Sequence, residues 1–144
     1  MNIEVRNYLK QDYTELIILL KKIYNSEIDQ VTLENRYLTN TRSILVATTE
    51  NNYVVGCAFV EIQQDYIRPR RILYVTYVAV DEHYRKQGIG RIIFKSIETM
   101  AVELEATAIE LTSADYRKDA HAFYEALGFS KKKTTLFIKE INSL

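Results

Sequence analysis

The spacing of apolar residues changes along the chain, and each change marks an element. Residues Asn2–Tyr8 alternate apolar and polar, with Ile3 and Val5 on one side, and predict a first strand. From Tyr13 to about Tyr24 the period becomes helical. Leu16, Ile17, Leu19, Leu20 and Ile23 form a broad apolar face, and Asp12 stands where an N-cap belongs. A polar connection, Asn25–Gln30, leads to a weaker helix ending near Tyr37 or Leu38. Ser43–Thr49 and Tyr53–Gln63 read as an antiparallel hairpin turning at Glu50-Asn51-Asn52, with Gly56 marking a bulge. Gln64–Arg71, which holds the chain's one proline, Pro69, predicts a loop.

The middle of the chain carries the strongest pattern. A β-branched and aromatic run from Ile72 to Val80 predicts a buried strand. The chain then turns through Arg85-Lys86-Gln87-Gly88-Ile89-Gly90 into a helix from about Ile89 to Leu104. Ile89, Ile93, Ile97, Met100, Ala101 and Leu104 share its inner face. A strand at Thr107–Thr112 follows, parallel to the central strand if the helix is a crossover. After a linker at Ser113–Arg117 come a helix at Lys118–Leu127, a C-terminal glycine at Gly128 and a last strand near Phe129–Lys139, which contains Lys131-Lys132-Lys133. The order βααβββαβαβ excludes a pure doubly wound sheet. It predicts a single α+β domain over 1–144, with a mixed, mostly antiparallel sheet of six or seven strands, about four helices and a central βαβ unit.

Composition narrows the function classes. The 144 residues carry no net charge, which argues against a protein built to neutralise nucleic-acid phosphates. No apolar run reaches the roughly 18 residues of a membrane span, and the start of the chain lacks the pattern of a signal peptide. A cytoplasmic location is expected. The single cysteine, Cys57, excludes an internal disulfide and lies in an apolar run, as a core residue would. His83 and His121 lack convergent ligand spacing, so solvated or structural roles and no metal are expected.

Two of the four glycines, Gly88 and Gly90, stand where the central strand gives way to its helix. Glycine permits a tight turn there, and the first helical turn presents unpaired N–H groups and the positive end of the helix dipole. With Arg85, Lys86 and Arg91 adjacent, the stretch predicts a phosphate site. A Walker-type loop would need Lys-Ser or Lys-Thr after its last glycine, where this chain has Arg91-Ile92. A dinucleotide fingerprint would need a third glycine, where Ile93 stands, and an acidic end to the next strand, which ends in Thr112-Ser113.

The stretch Val78-Ala-Val80-Asp-Glu-His-Tyr84-Arg85-Lys-Gln-Gly88-Ile-Gly90-Arg91 resembles the acetyl-CoA signature of the GNAT-type N-acetyltransferase superfamily. Ala120-His-Ala-Phe123-Tyr124-Glu-Ala-Leu-Gly128-Phe129 resembles its second signature, at the expected distance downstream. The resemblance implies direct attack of a primary amine on the thioester of acetyl-CoA, through a tetrahedral intermediate. It assigns Arg85, Lys86, Gln87, Gly88, Ile89, Gly90 and Arg91 to the pyrophosphate, chiefly through backbone N–H groups. It assigns the backbone of Val78, Ala79 and Val80 to the pantetheine arm and the acetyl carbonyl, in a gap between the central strand and the next. Tyr124 is implied as the general acid that protonates the departing thiolate, because a tyrosine with pKa about 10 stays protonated at neutral pH.

The chain departs from its relatives at the base. Thr76 and Thr112 occupy positions where some members carry glutamate, and neither threonine can accept the proton. Ordered water, backbone carbonyls, Glu61 or Glu110 remain as routes, and no base is assigned. Arg117 replaces an asparagine that often contacts CoA. The acceptor is expected to meet Tyr24–Tyr37 and Gln63–Arg71. Glu27, Asp29 and Glu34 there would attract a cationic amine such as a polyamine, an aminoglycoside or a lysine-bearing peptide, unless they form only a solvated acidic patch. Tyr66, Tyr74 and Tyr77 are candidate lining residues. A small-molecule amine is favoured over a protein or peptide because the chain is minimal. A non-catalytic CoA-binding regulator and transfer of a different acyl group are the remaining alternatives, and a homodimer is left open.

Overall fold

The computed structural model describes residues 2–142, which fall into two compact units that divide between Thr112 and Ser113. In the first unit five strands lie side by side in chain order: β1 (Glu4–Asn7), β2 (Arg42–Thr48), β3 (Val54–Asp65), β4 (Arg70–Val80) and β5 (Ala108–Glu110). Pairings are antiparallel except β4 with β5, which is parallel and closes the central βαβ unit. The expected α+β class holds, and its sheet has five strands rather than six or seven.

The missing strand is the one expected near Phe129–Lys139. No strand forms there, and residues 131–142 are exposed throughout. Among the described residues the second unit holds one helix and no strand, so within that unit the segment has no ladder to join, and three successive lysines break its alternation.

Helix α1 (Tyr13–Tyr24) buries Leu16, Leu19 and Leu20 against Ile44, Val46, Cys57, Phe59 and Ala79 on one face of the sheet. Asn25, in the left-handed conformation at φ 56°, ends it. Asp12 does not cap α1 with its side chain. It closes a short 3-10 turn, where its carboxylate receives the Arg6 guanidinium at 2.8 and 3.0 Å and the Leu9 N–H at 2.7 Å. Burial opposes its charge, but the bonds from Arg6 and Leu9 prevail and hold the carboxyl below the usual range. Helix α2 (Gln30–Thr32), capped by Asp29, widens into a π turn at Leu33–Tyr37 and lays Leu33 on the same core.

Helix α3 (Ile89–Glu103) covers the opposite face. Ile89, Ile93, Ile97 and Ala101 are buried as expected, with Phe94 in addition, while Leu104 is 38% exposed. Gly56 is needed for closeness of packing: a Cβ there would lie 3.0 Å from both the Ala79 carbonyl oxygen and Ile93 Cδ1. The bulge it was expected to mark lies beside it, where the β2–β3 register slips between Ala47 and Thr48. Cys57 is fully buried, as expected, and burial pushes its thiol up to about 12.

In the second unit, helix α4 (Lys118–Ala126) ends in a Schellman turn at Gly128, φ 97°. There the Gly128 N–H bonds the Glu125 carbonyl and the Phe129 N–H bonds that of Tyr124, both at 3.0 Å.

Candidate functional site

Among the described residues of the first unit, β4 passes from a fully paired strand to an open edge. Its ladder with β5 covers only Ile72–Tyr74, against Ala108–Glu110, and ends there. β5 is half the length predicted for Thr107–Thr112, which lengthens the open part of β4. On the other side β3 remains paired along Val75–Val80, with one irregularity. Phe59 faces Tyr77 and Val60 faces Val75, so Thr76 is an extra, bulged residue. Its hydroxyl donates to the Phe59 carbonyl at 3.1 Å, a structural use of the position where some relatives carry glutamate.

Backbone polarity along this edge follows from the pleat. The Asp81 N–H donates to the Val55 carbonyl of β3 at 2.8 Å, so Ala79 also turns its backbone groups to β3, while Val78 and Val80 turn theirs to the open side. Both outward carbonyls are already engaged. Tyr24, from the end of α1, donates its hydroxyl to the Val78 carbonyl at 2.7 Å, and Arg85 donates Nε–H to that of Val80 at 3.2 Å. The N–H groups of Val78 and Val80 face the same open side and suit the carbonyls of an extended, amide-bearing arm.

The loop that follows is held by its own side chains. Asp81 accepts the His83 N–H at 2.9 Å and its carbonyl accepts that of Tyr84 at 2.9 Å, forming a 3-10 turn over Glu82–Tyr84. Lys86 and Gly88 then adopt positive φ, 63° and 81°. Gly88 is the N-cap of α3, accepting the Ile92 N–H at 3.1 Å, and an added Cβ there would meet nothing within 4 Å. The glycine therefore serves the backbone conformation alone. Ile89, Gly90 and Arg91 occupy the first helical turn, whose N–H groups have no intrahelical acceptors. Arg85, Lys86, Gln87, Gly88 and Arg91 are exposed, Gly90 is half-buried and Ile89 is buried. An anion is accommodated by this combination of helix terminus, left-handed turn and cationic side chains.

Beside this loop lies a cleft of about 460 Å³, lined by Leu19, Lys22 and Ile23 of α1 and by Asp81, Glu82 and Arg85. Lys22 is the residue that sequence reasoning missed. Tyr24 was expected only as the start of the segment meeting the acceptor, and its tie to Val78, across 54 positions, has no local signal.

In the second unit the half-buried Tyr124 packs edge-on to Phe123 and Phe129, with ring centroids 5.7 and 6.1 Å away. His121 has the structural role expected of it: its Nε2 donates to the Ala114 carbonyl at 2.9 Å, closing the linker onto α4. His83 is exposed, 3.8 Å from Glu82. Arg117 immediately precedes α4 and is exposed.

The expected acidic attractors are engaged in local structure. Glu27 lies 3.6 Å from Lys21, Asp29 caps α2 through the Thr32 N–H and hydroxyl, and Glu34 accepts from Tyr8 at 2.6 Å and Gln30 at 3.0 Å. Tyr66 stands at the tip of the β3–β4 hairpin, 90% exposed.

The sequence model of the acetyltransferase (GNAT) family matches residues 3–129. A search of curated protein sequences finds no significant match. Among solved structures, the aminoglycoside 6'-N-acetyltransferase AAC(6')-Ih from Acinetobacter baumannii superposes with a TM-score of 0.82 at 18% identity, over 99% of this chain and 100% of that one. The enzyme AAC(6')-Iy, in complex with the bisubstrate analogue CoA-S-monomethyl-acetylneamine, gives 0.84 at 14% identity, over 99% and 100%. A protein described as a transcriptional regulator from Bacillus halodurans C-125 gives 0.85 at 20% identity, over 96% and 100%. At these identities the likeness is one of fold.

Proposed function

We propose that this chain, which belongs to the acetyltransferase (GNAT) family, works as a single domain that transfers an acetyl group from acetyl-CoA to the primary amine of a small molecule. The observation that carries the reading is the continuity of the open β4 edge with the Gly88 turn. One element offers two outward N–H groups at Val78 and Val80, and the next offers an anion site at the α3 terminus. That donor set fits a pantetheine arm with a pyrophosphate at its end.

Acetyl-CoA would supply an activated acetyl thioester and a thiol leaving group. Arg85, Lys86, Gln87, Gly88, Ile89, Gly90 and Arg91 hold the pyrophosphate, through the N–H groups of the turn and the surrounding positive charge. Ala79 stays locked to β3, which keeps the Val78 and Val80 N–H groups aligned along the edge. One of those N–H groups polarises the acyl carbonyl as an oxyanion donor, a contribution worth about 3 kcal/mol in comparable sites. Tyr124 holds a phenolic proton for the leaving thiolate. No metal takes part, and the reaction is placed in the cytoplasm.

The test is release of free thiol from acetyl-CoA across a panel of primary amines, with acetylated product identified by mass. Turnover on one or more amines supports the reading. A second reading, a CoA-binding regulator, is favoured by the threonines at positions 76 and 112. Tight CoA binding without turnover on any amine or peptide would establish it in place of the first. Turnover on peptides alone would make the chain a protein acetyltransferase.

A further inference from the structure

The tip of the β3–β4 hairpin is braced from within and apolar on its outside. Asp65 turns its carboxylate inward to accept the N–H groups of Ile67 and Arg68 at 2.9 and 3.1 Å. Gln64 Nε2 donates across the turn to the carbonyls of Asp65 and Arg70 at 3.0 and 3.1 Å. Tyr66 and Ile67, held on this frame, are 90% and 94% exposed, more than any other large apolar residue described in the first unit. Arg68 is exposed beside them and, among the described residues, forms no salt bridge, whereas Arg70 is paired with Glu110 at 3.1 Å. From Arg70 to Val78 is roughly 25 Å of extended strand, so the tip is remote from the donor edge.

The last turns of α3 lie at the same end of the sheet and carry the opposite charge. The Thr107 N–H donates to the Arg71 carbonyl at 2.7 Å, and Thr107 comes just after Glu105, so hairpin and helix end side by side. Glu98, Glu103 and Glu105 are exposed and, among the described residues, form no salt bridge, with Lys95 the one cation in the same stretch. Val102, 77% exposed, stands one turn from Glu98 and gives this end an apolar centre. The negative end of the helix dipole adds to the potential, and α3 has no basic residue in its last turn to offset it.

We propose that the tip and the α3 end are two halves of one interface, and that the partner is a second copy of this chain. Each patch is apolar and charged, and their charges are opposite. Because they are neighbours, a two-fold axis between them sets the tip of each copy on the α3 end of the other. Tyr66 and Ile67 then cover Val102, and Arg68 meets the glutamates beside it. The chain has no net charge, so general repulsion does not oppose association. About a dozen residues a side is fewer than the 20 to 30 of a standard interface, so the dimer should dissociate in the micromolar range.

Sedimentation velocity of the full chain, over loading concentrations spanning the micromolar range, tests the assignment. A concentration-dependent dimer is expected, weakened by added salt. Arg68→Glu should weaken it at least about tenfold, because the two-fold axis repeats the change, and Glu103→Arg should do the same. An equimolar mixture of the two variants should dimerise about as well as wild type. In that mixed pair each glutamate again faces an arginine, at both contacts. Both positions are exposed, so melting temperatures should change little. A wild-type chain that stays monomeric, a dimer indifferent to Arg68→Glu, or a mixture that fails to recover overturns the interface. Acetyl transfer, or its absence, bears on none of these outcomes.

Discussion

The hydroxyl of Tyr24 donates to the Val78 carbonyl at 2.7 Å, tying the last residue of α1 to the open edge of β4. Tyr24→Phe keeps the ring against Tyr77 and removes the hydroxyl that makes that bond. It should cost about 1 kcal/mol of stability. The KM for acetyl-CoA should rise about fivefold, since the edge loses its brace, while kcat changes less. Steady-state kinetics and thermal melting check this, and an unchanged KM would separate the bond from donor binding.

Gly88 and Lys86 share the left-handed conformation, yet only one of them is glycine. Gly88→Ala meets no steric obstacle, so its cost should be conformational, about 1 kcal/mol, with weaker CoA binding by equilibrium dialysis. Lys86→Gly should raise stability by up to about 1 kcal/mol by relieving the same strain. If both substitutions lower stability equally, the strain account of this turn is wrong.

Tyr124→Phe retains the ring contacts with Phe123 and Phe129 and removes the phenolic proton. Turnover should fall more than about tenfold with the KM for acetyl-CoA nearly unchanged, the pattern of a contribution made only in the transition state. Equal turnover in both proteins would remove Tyr124 from the chemistry.

The Arg6–Asp12 pair should appear in acid unfolding. Asp12 is only 3% exposed, so Arg6→Ala, which strands its charge, should cost about 3 kcal/mol at neutral pH. The Asp12 carboxyl is depressed in the folded protein, so its stabilising contribution is full above the unfolded value of about 3.9. It is lost as pH falls through the lower folded value. The stability gap between wild type and Asp12→Asn should therefore close below about pH 4, measured by denaturant titration at several pH values.

Local signals carried much of this fold. The periodicity of α1 and α3, the Glu50–Asn52 turn and the Gly128 cap each depend on residues close in sequence, and they stand where the pattern put them. The Arg85–Gly90 turn was legible for the same reason. What escaped depends on partners. Asp12 before a helix reads as a cap whether or not Arg6 claims its carboxylate. The segment Phe129–Lys139 has strand-like composition, but a strand exists only where another offers its edge. Thr76 could be recognised as a missing glutamate, while its bulge depends on the register with Phe59. The contacting rings of Tyr37, Phe59, Tyr77 and Tyr24 come from two strands and two helical segments, so no sequence window contains them.

Cys57 bears on how these experiments can be run. It is the chain's one thiol, wholly enclosed by the core and protonated up to about 12. An aromatic disulfide reagent that reports thiolate should find none on the folded protein, so every equivalent of colour counts a released CoA. Any slow extra rise would report global opening, making the same cuvette a monitor of folding during catalysis.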